Sequence, residues 1–287
     1  MACRLKPRKC NMKIPPDDLK VIDDLIDIYE AALPANPASA KNIKRERAYT
    51  RTLTDYFQRL EQAFPYDKVT DIYYRHVKEG RGWFAKLFEA DPVSDTGSLF
   101  DPILKTFRAG LLVNITGQHV AIYMAAAAET TSWGRTKAGI PITYEGPPIQ
   151  QAIQYAQKHC AQLVTRMDKE SKDLIAQTVA DAVENKRGIG GLARDLRHQF
   201  EDMSRNRSIT IARTETCDAS EQGFMDTAKG MGVTGKEWIT HDPCEICAQN
   251  EDIILPLDGV FPSGDERPPA HPNCRCALAP VMLKEEV

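Results

Sequence analysis

The sequence lacks several features that would assign it to a special class of protein. No apolar run approaches the roughly 20 residues that a membrane helix needs, and no apolar core of a signal peptide follows the basic start MACRLKPRKC. No internal repeat and no low-complexity segment is found. A formal charge of −3 excludes a uniformly basic nucleic-acid coat. We therefore expect a soluble protein made in the cytoplasm, with no membrane partner.

The amino-acid composition is that of an ordinary globular protein, and the apolar residues recur at helical spacing. The chain has 287 residues, of which 42% are hydrophobic and 27% are charged, enough for one or two domains with a real core. Apolar residues recur at helical spacing from 149 to 203, and three helices are predicted there. The second of them spans 170–186, and the glycines of GIGG are expected to end it as a C-cap. The segment 110–129 is left open as a strand or a buried helix.

These patterns predict a mainly α protein with a small C-terminal α+β zinc-knuckle module. Four segments are expected: an N-terminal arm and helix at 1–48, a helical region at 49–148, a helical part at 149–230 and the knuckle module at 231–287. The aromatic residues between 43 and 90 are interpreted as helical core rather than as a binding platform. KEWIT (236–240) has strand character and leads into the module.

The module contains two clusters of soft metal ligands. The first is the Cys-x-x-Cys pair Cys244 and Cys247, and the second, after 23 intervening residues, contains His271, Cys274 and Cys276. Such a turn places two thiolates on one side of a tight knuckle, and a second pair can complete a tetrahedral zinc site. Five candidates exceed four ligands, so either His271 or Cys276 is expected to stay outside the site.

Three interpretations of these clusters are compared. A structural zinc is favoured, because no general acid or base accompanies the ligands as a catalytic zinc would need. Residues 241–287 hold nine acidic residues against three Lys or Arg, and this negative charge repels a phosphate backbone. Disulfides are the lesser alternative, because a reducing compartment disfavours them. The other cysteines (Cys3, Cys10, Cys160 and Cys217) lack partner spacing.

A basic stretch precedes the module. Residues 185–213 hold seven Lys or Arg against three acidic residues. This excess could contact DNA phosphates or an acidic portal surface, or it could be a solvated helix face. The candidate contact residues are Lys186, Arg187, Arg194, Arg197, Arg205 and Arg207.

A helix carrying an Arg-Thr-Glu-Thr motif follows the basic stretch. Its inner stripe is predicted to be Ile209, Ala212, Thr216, Ala219 and Gly223. Arg213 and Glu215 are two positions apart and cannot face each other on a helix, so each should pair with another element. A structural role is favoured over a catalytic one for this motif. Asp242, after the strand, is expected to accept backbone N–H bonds in the first knuckle.

The segments IARTET, KEWITHDPCEIC and PPAHPNCRC together resemble the C-terminal domain of phage Mu F-like minor head proteins, the phage head morphogenesis family. The resemblance covers roughly residues 150–282 and includes GIGGLARDL, the Trp238 strand, both ligand clusters and the Phe261 loop. The first 150 residues carry no motif that matches. The resemblance implies that Arg213, Thr214, Glu215, Trp238 and Asp242 are structural motif positions.

The resemblance also implies a non-enzymatic virion component. Such proteins associate with the portal vertex inside the head, contact the portal and the major capsid or scaffolding protein, and act in head assembly and DNA packaging or ejection. The alternatives are a zinc-dependent nuclease or hydrolase acting on DNA, and a free DNA-binding regulator. The acidic module and the absence of a recognition-helix signature weigh against the regulator.

Overall fold

A computed structural model describes residues 39–79, 92–136, 148–240 and 243–283 of the chain. The predicted arm and helix at 1–48 therefore lie mostly outside the described residues, as do the connector near 137–147 and Asp242. Within the described residues the protein is mainly helical, with one small antiparallel sheet close to the C-terminus. This confirms the predicted fold class.

Among the described residues, six long helices form the body. They are α1 (Ala40–Ala63), α2 (Tyr66–Glu79), α3 (Pro92–Thr136), α4 (Ile149–Glu184), α5 (Ile189–Asp202) and α6 (Ser208–Gly230). Ser39 caps α1, because its Oγ accepts the N–H of Asn42. The segment left open at 110–129 is helical, since it lies within α3.

The body core is a continuous apolar cluster contributed by α1 to α6. Tyr49, Leu53 and Phe57 of α1 are fully buried, and Phe64 makes edge contacts with Phe100 and Phe200. The aromatic residues at the described positions thus serve mainly as core, with Tyr74 exposed. Trp83, Phe84 and Phe88 lie outside the described residues.

Two of the three helices predicted between 149 and 203 form one continuous helix. The expected break before residue 170 does not occur; Ser171 is buried at this point, and its Oγ donates to the Met167 carbonyl of the same helix. The GIGG segment also differs from its prediction. Helix α4 ends at Glu184, and Gly188 is the N-cap of α5 rather than the C-cap of the preceding helix.

A π-helical turn, Met203–Arg207, joins α5 to α6 without an intervening loop. The Arg-Thr-Glu-Thr helix is therefore the continuation of α5. On its inner stripe Ala212, Thr216, Ala219 and Gly223 are buried, but Ile209 is exposed, contrary to the prediction. Gly223 allows close packing, because a Cβ there would lie 2.5 Å from the Tyr123 carbonyl oxygen of α3.

The terminal module contains three strands and one short helix: β1 (Gly235–Ile239), α7 (Glu245–Ala248), β2 (Ile254–Pro256) and β3 (Ala277–Val281). The sheet order is β2-β1-β3, and both pairings are antiparallel. The predicted strand at KEWIT is β1. Its Trp238 is fully buried and packs edge-on against Phe261, with ring centroids 4.9 Å apart. The module core continues onto Phe224 and Ala228 of α6.

Helix α3 is, among the described residues, the one helix that is long and apolar enough to cross a membrane by length and composition. Those properties also suit the central helix of a helical body. Helix α3 packs along α4 and α6 and holds the fully buried His119.

Candidate metal centre

The first knuckle is built on the start of helix α7. Cys244 is the N-cap residue of this helix and Cys247 lies in its only turn, so both thiols are on the same side. The backbone N–H of Cys247 lowers the pKa of the exposed Cys244 thiol. Burial raises the pKa of Cys247 to about 12. A bound cation would favour the thiolate at both positions.

The second knuckle is a turn between His271 and Cys276. Asn273 has a φ of 67°, in the left-handed region that asparagine tolerates better than most residues. This turn lets the Cys274 N–H donate to the His271 carbonyl at 3.2 Å and directs Cys274 towards the first knuckle. His271 Nδ1 lies 2.8 Å from the Pro272 carbonyl, which favours the tautomer whose Nε2 lone pair is free.

The two knuckles meet at distances that suit zinc. His271 Nε2 lies 3.2 Å from Cys244 Sγ and 3.1 Å from Cys247 Sγ, and Cys247 Sγ lies 3.7 Å from Cys274 Sγ. Ligands in a tetrahedral zinc site are about 3.8 Å apart for two sulfurs and about 3.5 Å apart for sulfur and nitrogen, given the usual bond lengths. These three separations differ from those values by a few tenths of an ångström, whereas no four of the donors all lie within 4.8 Å of one another, so a four-ligand site requires a larger shift of at least one knuckle residue.

The five donors form two overlapping sets that share Cys247. One set contains Cys244, Cys247 and His271, and the other contains Cys247, Cys274 and Cys276; within each set all donor atoms lie within 4.8 Å of one another. His271 and Cys276 are thus both adjacent to Cys247. The choice between them as the fourth ligand stays a prediction.

A fifth thiol lies beside the centre, and no spacing in the sequence pointed to it. Cys217 of α6 is buried, its Sγ lies 3.6 Å from the Cys276 carbonyl, and its hydrogen bond raises the pKa of Cys274. Helical packing alone brings it there, which sequence spacing could not reveal. All six cysteines among the described residues are free thiols.

A cavity of about 330 Å³ opens beside the centre. Two arginines, Arg213 and Arg275, line it together with the knuckle residues, and no carboxylate is among the described residues that line it. Both guanidinium groups contact Glu46 of α1, at 3.4 Å and 3.0 Å respectively. No carboxylate that could act as a general base is therefore found on the described walls of this cavity, and the imidazole of His271, which does line it, is a candidate metal ligand.

The Arg-Thr-Glu-Thr motif divides its contacts between two sides of α6. Arg213 donates to the Asn273 side chain at 3.3 Å, and Thr214 Oγ1 accepts the Asn273 N–H at 3.1 Å. These two residues thus hold the second knuckle against the helix. Glu215 points into the body, as expected for a residue that pairs with another helix. Thr216 is buried.

Glu215 meets two histidines that sequence reasoning did not single out. Its Oε2 lies 3.2 Å from His119 Nε2 of α3 and 2.6 Å from His159 Nε2 of α4. Burial alone would raise the pKa of Glu215, but its hydrogen bonds with the two histidines lower it to about 2. The same carboxylate raises the pKa of His159 against the opposing effect of burial.

The candidate DNA-contact residues lie in different environments. Arg187 pairs with Asp195, Arg205 with Glu201 at 2.8 Å, and Arg207 with Glu170 at 2.8 Å. Arg207 is also held over the Phe57 ring. The remaining three, which are exposed, are Lys186, Arg194 and Arg197.

The comparisons with known proteins extend the sequence reasoning. A search of curated proteins and a search of solved structures find no match. A family match does exist, and it spans α5, α6, β1, β2, the first three residues of β3 and all five candidate ligands, together with the last part of α4. Residues 173–279 match the family model described as Phage Mu protein F like protein, which confirms the predicted resemblance for this part of the chain; that family suggests a role in phage head morphogenesis.

Proposed function

We propose that this protein is a minor head protein of a tailed phage, placed inside the head near the portal vertex. It acts in head morphogenesis and in the packaging or ejection of DNA, and it is not an enzyme. The observation that carries this proposal is the family match over residues 173–279. The matched residues include the motif helix, most of the sheet and both knuckles, which supports one assembly unit rather than an isolated motif.

Zinc is assigned a structural role in this proposal. Cys244, Cys247 and Cys274, with His271 or Cys276, would hold the ion, and the bound ion would supply folding free energy by joining the two knuckles. The knuckles are otherwise connected by a loop with little regular structure, since β2 has only three residues. The absence of a carboxylate on the described walls of the adjacent cavity supports this role.

The partners follow from position and charge. We propose the portal protein as the first partner and the major capsid or scaffolding protein as the second. The exposed Lys186, Arg194 and Arg197 form the basic surface for packaged DNA or an acidic portal surface. Arg187 and Arg205 contribute less, because neighbouring carboxylates neutralise them, and Arg207 serves the fold.

Location in the particle tests the proposal directly. A phage strain that lacks the protein is complemented with the wild-type protein. Its purified heads are dissociated and analysed by mass spectrometry, and the portal is pulled down to test whether the protein accompanies it. We expect the protein in mature heads, in few copies, together with the portal. Heads that lack the protein and remain fully infectious would contradict the proposal.

The role of the metal is tested separately. We expect about one zinc per chain to depend on the knuckles, and Cys247→Ser to lose it together with the folded module. The matched control Cys160→Ala changes a buried cysteine of α4 and should retain that zinc. Metal-dependent DNA cleavage that Cys244→Ser abolishes without loss of folding would instead favour the nuclease alternative.

A further inference from the structure

Three helices of the body bring metal-ligand side chains to one point, far from the knuckles in sequence. His119 lies on α3, His159 on α4 and Glu215 on α6, and their donor atoms all lie within 4.8 Å of one another. We call these residues the His-His-Glu cluster. Both Nε2 atoms approach the same carboxylate oxygen, Glu215 Oε2. Facing helices of a bundle are a common place for imidazole and carboxylate metal sites.

The cluster is enclosed but can be reached from solvent. The side chain of His119 is fully buried and that of Glu215 is 4% exposed, while 27% of the His159 side chain is exposed. The two imidazole rings lie 5.2 Å apart, and Tyr155 stacks on His159. The rings are therefore held in place by packing, and His159 provides the path by which an ion could enter.

The hydrogen bonding of His119 favours a ligand role. Its Nδ1 lies 3.1 Å from the Ile115 carbonyl oxygen, which can only accept, and 3.4 Å from the Tyr49 hydroxyl, which can accept as well, so this arrangement favours the N–H on Nδ1. A neutral imidazole then has its lone pair on Nε2, facing Glu215. Two acceptors would repel each other there, so either a second proton on the imidazole, which then donates to Glu215, or a bound metal cation must lie between them. Metal-bound histidines typically donate their other ring N–H to such a carbonyl.

We propose that the His-His-Glu cluster binds a divalent transition-metal cation, with zinc as the cation to be tested. Two imidazoles and one carboxylate are a usual protein ligand set for such ions. A tetrahedral site with these bond lengths places ligand atoms about 3.4 Å apart. The separations from Glu215 Oε2, 2.6 Å and 3.2 Å, require shifts of less than an ångström.

The charged surroundings of the cluster are mixed. Asp218, one turn after Glu215 on α6, places its Oδ2 3.7 Å from His159 Nε2, within reach of a fourth position. Arg166 lies 3.7 Å from Glu215 Oε1 but is 63% exposed, so it can move into solvent. Arg267 of the terminal module binds Asp218 at 2.8 Å. The two carboxylates thus offset the two arginines before any ion binds.

This site is separate from the knuckle centre and lies only partly within the family match. His119 and His159 lie outside residues 173–279, whereas Glu215 lies inside them. An ion bound here would tie α3 and α4 to the helix that carries the matched motif. The proposal does not depend on the assignment as a head protein, because it rests on the geometry of the body alone.

Metal content per chain tests the proposal on the purified full-length protein. After equilibration with zinc and removal of free ion, we expect His159→Gln to contain one zinc fewer than the wild type. The matched control His198→Gln, an exposed histidine of α5, should keep the wild-type content. If far-UV circular dichroism shows that His159→Gln is folded and its zinc content is unchanged, the proposal is overturned. The three side chains are then an ion-paired or hydrogen-bonded cluster without a metal.

A titration of the wild type with Co²⁺ keeps the proposal testable even if the variant does not fold. Thiolate ligands of the knuckles give a charge-transfer band, whereas imidazole and carboxylate ligands do not. We expect one tightly bound equivalent of Co²⁺ that adds no thiolate charge-transfer absorbance. If every bound equivalent adds this absorbance, the His-His-Glu cluster binds no metal.

Discussion

Arg275 Nη2 lies 3.0 Å from Glu46 Oε1, although the two residues are 229 positions apart in the chain. Glu46 belongs to the first described helix, and Arg275 lies between the last two cysteines of the second knuckle. The same oxygen is 3.4 Å from Arg213 Nε of α6. One carboxylate therefore joins the start of the body, the motif helix and the terminal module.

The first prediction concerns this carboxylate. We expect Glu46→Gln to lower the free energy of unfolding by about 1–3 kcal/mol, because it leaves two partly buried guanidinium groups without a charged acceptor. Urea denaturation measures the change, and a double-mutant cycle with Arg275→Gln isolates the pair. The control Lys169→Gln removes an exposed pair with Asp173 and should cost less than about 0.5 kcal/mol. Equal effects at both positions would contradict the prediction.

The second prediction concerns the contact between α3 and α6. Gly223→Ala should lower the free energy of unfolding by about 1–3 kcal/mol, because the new methyl group meets the Tyr123 carbonyl and the helices must separate. Gly117→Ala is the matched control, since nothing lies within 4 Å of its added Cβ. That substitution should instead stabilise α3 by about 0.5–1 kcal/mol. Thermal or chemical unfolding distinguishes the opposite signs.

The third prediction concerns removal of the metal from the knuckles. A strong chelator should expose Trp238, because the apolar core of the module includes Cys247 and Cys274 themselves. A red shift of tryptophan emission on chelation measures this exposure. The shift should be absent in the control variant Trp238→Phe. Far-UV circular dichroism should change little, because most of the helix lies in the body. Unchanged emission after verified zinc loss would mean that the module folds without metal.

The fourth prediction concerns the basic surface. Substituting Lys186, Arg194 and Arg197 together by Gln should weaken binding to duplex DNA at low salt. Each lost phosphate contact makes the negative slope of log affinity against log salt shallower by about 0.9. Filter binding at several salt concentrations measures this slope. A triple variant with the wild-type slope would exclude this surface from DNA contact.

Arg207→Gln is the informative comparison for that surface. Its guanidinium donates to Ser171 Oγ and Glu170, both at 2.8 Å, and lies over the Phe57 ring. We expect this variant to lose stability with little effect on the salt slope. The two variants thereby separate a binding role from a structural one.

Structural features that depend on a few neighbouring residues could be predicted from the sequence. The strand at Trp238 and the two knuckles follow from residue type and spacing over a few positions. The continuity of helix α4 could not be predicted in this way. In the sequence, the polar residues near Asp168 resemble a break between two helices, but packing against neighbouring elements keeps α4 intact. Ser171 shows the reason: its hydroxyl is satisfied within the helix, which spacing alone does not reveal.

The His-His-Glu cluster could not be predicted for a different reason. His119 and His159 are 96 and 56 positions from Glu215, and no motif spacing links them. Only the packing of α3, α4 and α6 brings them together. Cys217 was missed in the same way. It lies on helix α6 and reaches the centre only through packing, whereas the other thiols of the centre lie in the two knuckles.

The π-helical turn Met203–Arg207 determines the direction in which each side chain of α6 points around the helix axis. One residue corresponds to about 100° of helical rotation, so deleting a single residue from this turn would rotate the whole downstream helix by that angle. Glu215 would turn away from the two histidines, and Arg213 and Thr214 would leave Asn273. A single inserted residue thus determines which contacts the motif helix makes with the body and which with the terminal module.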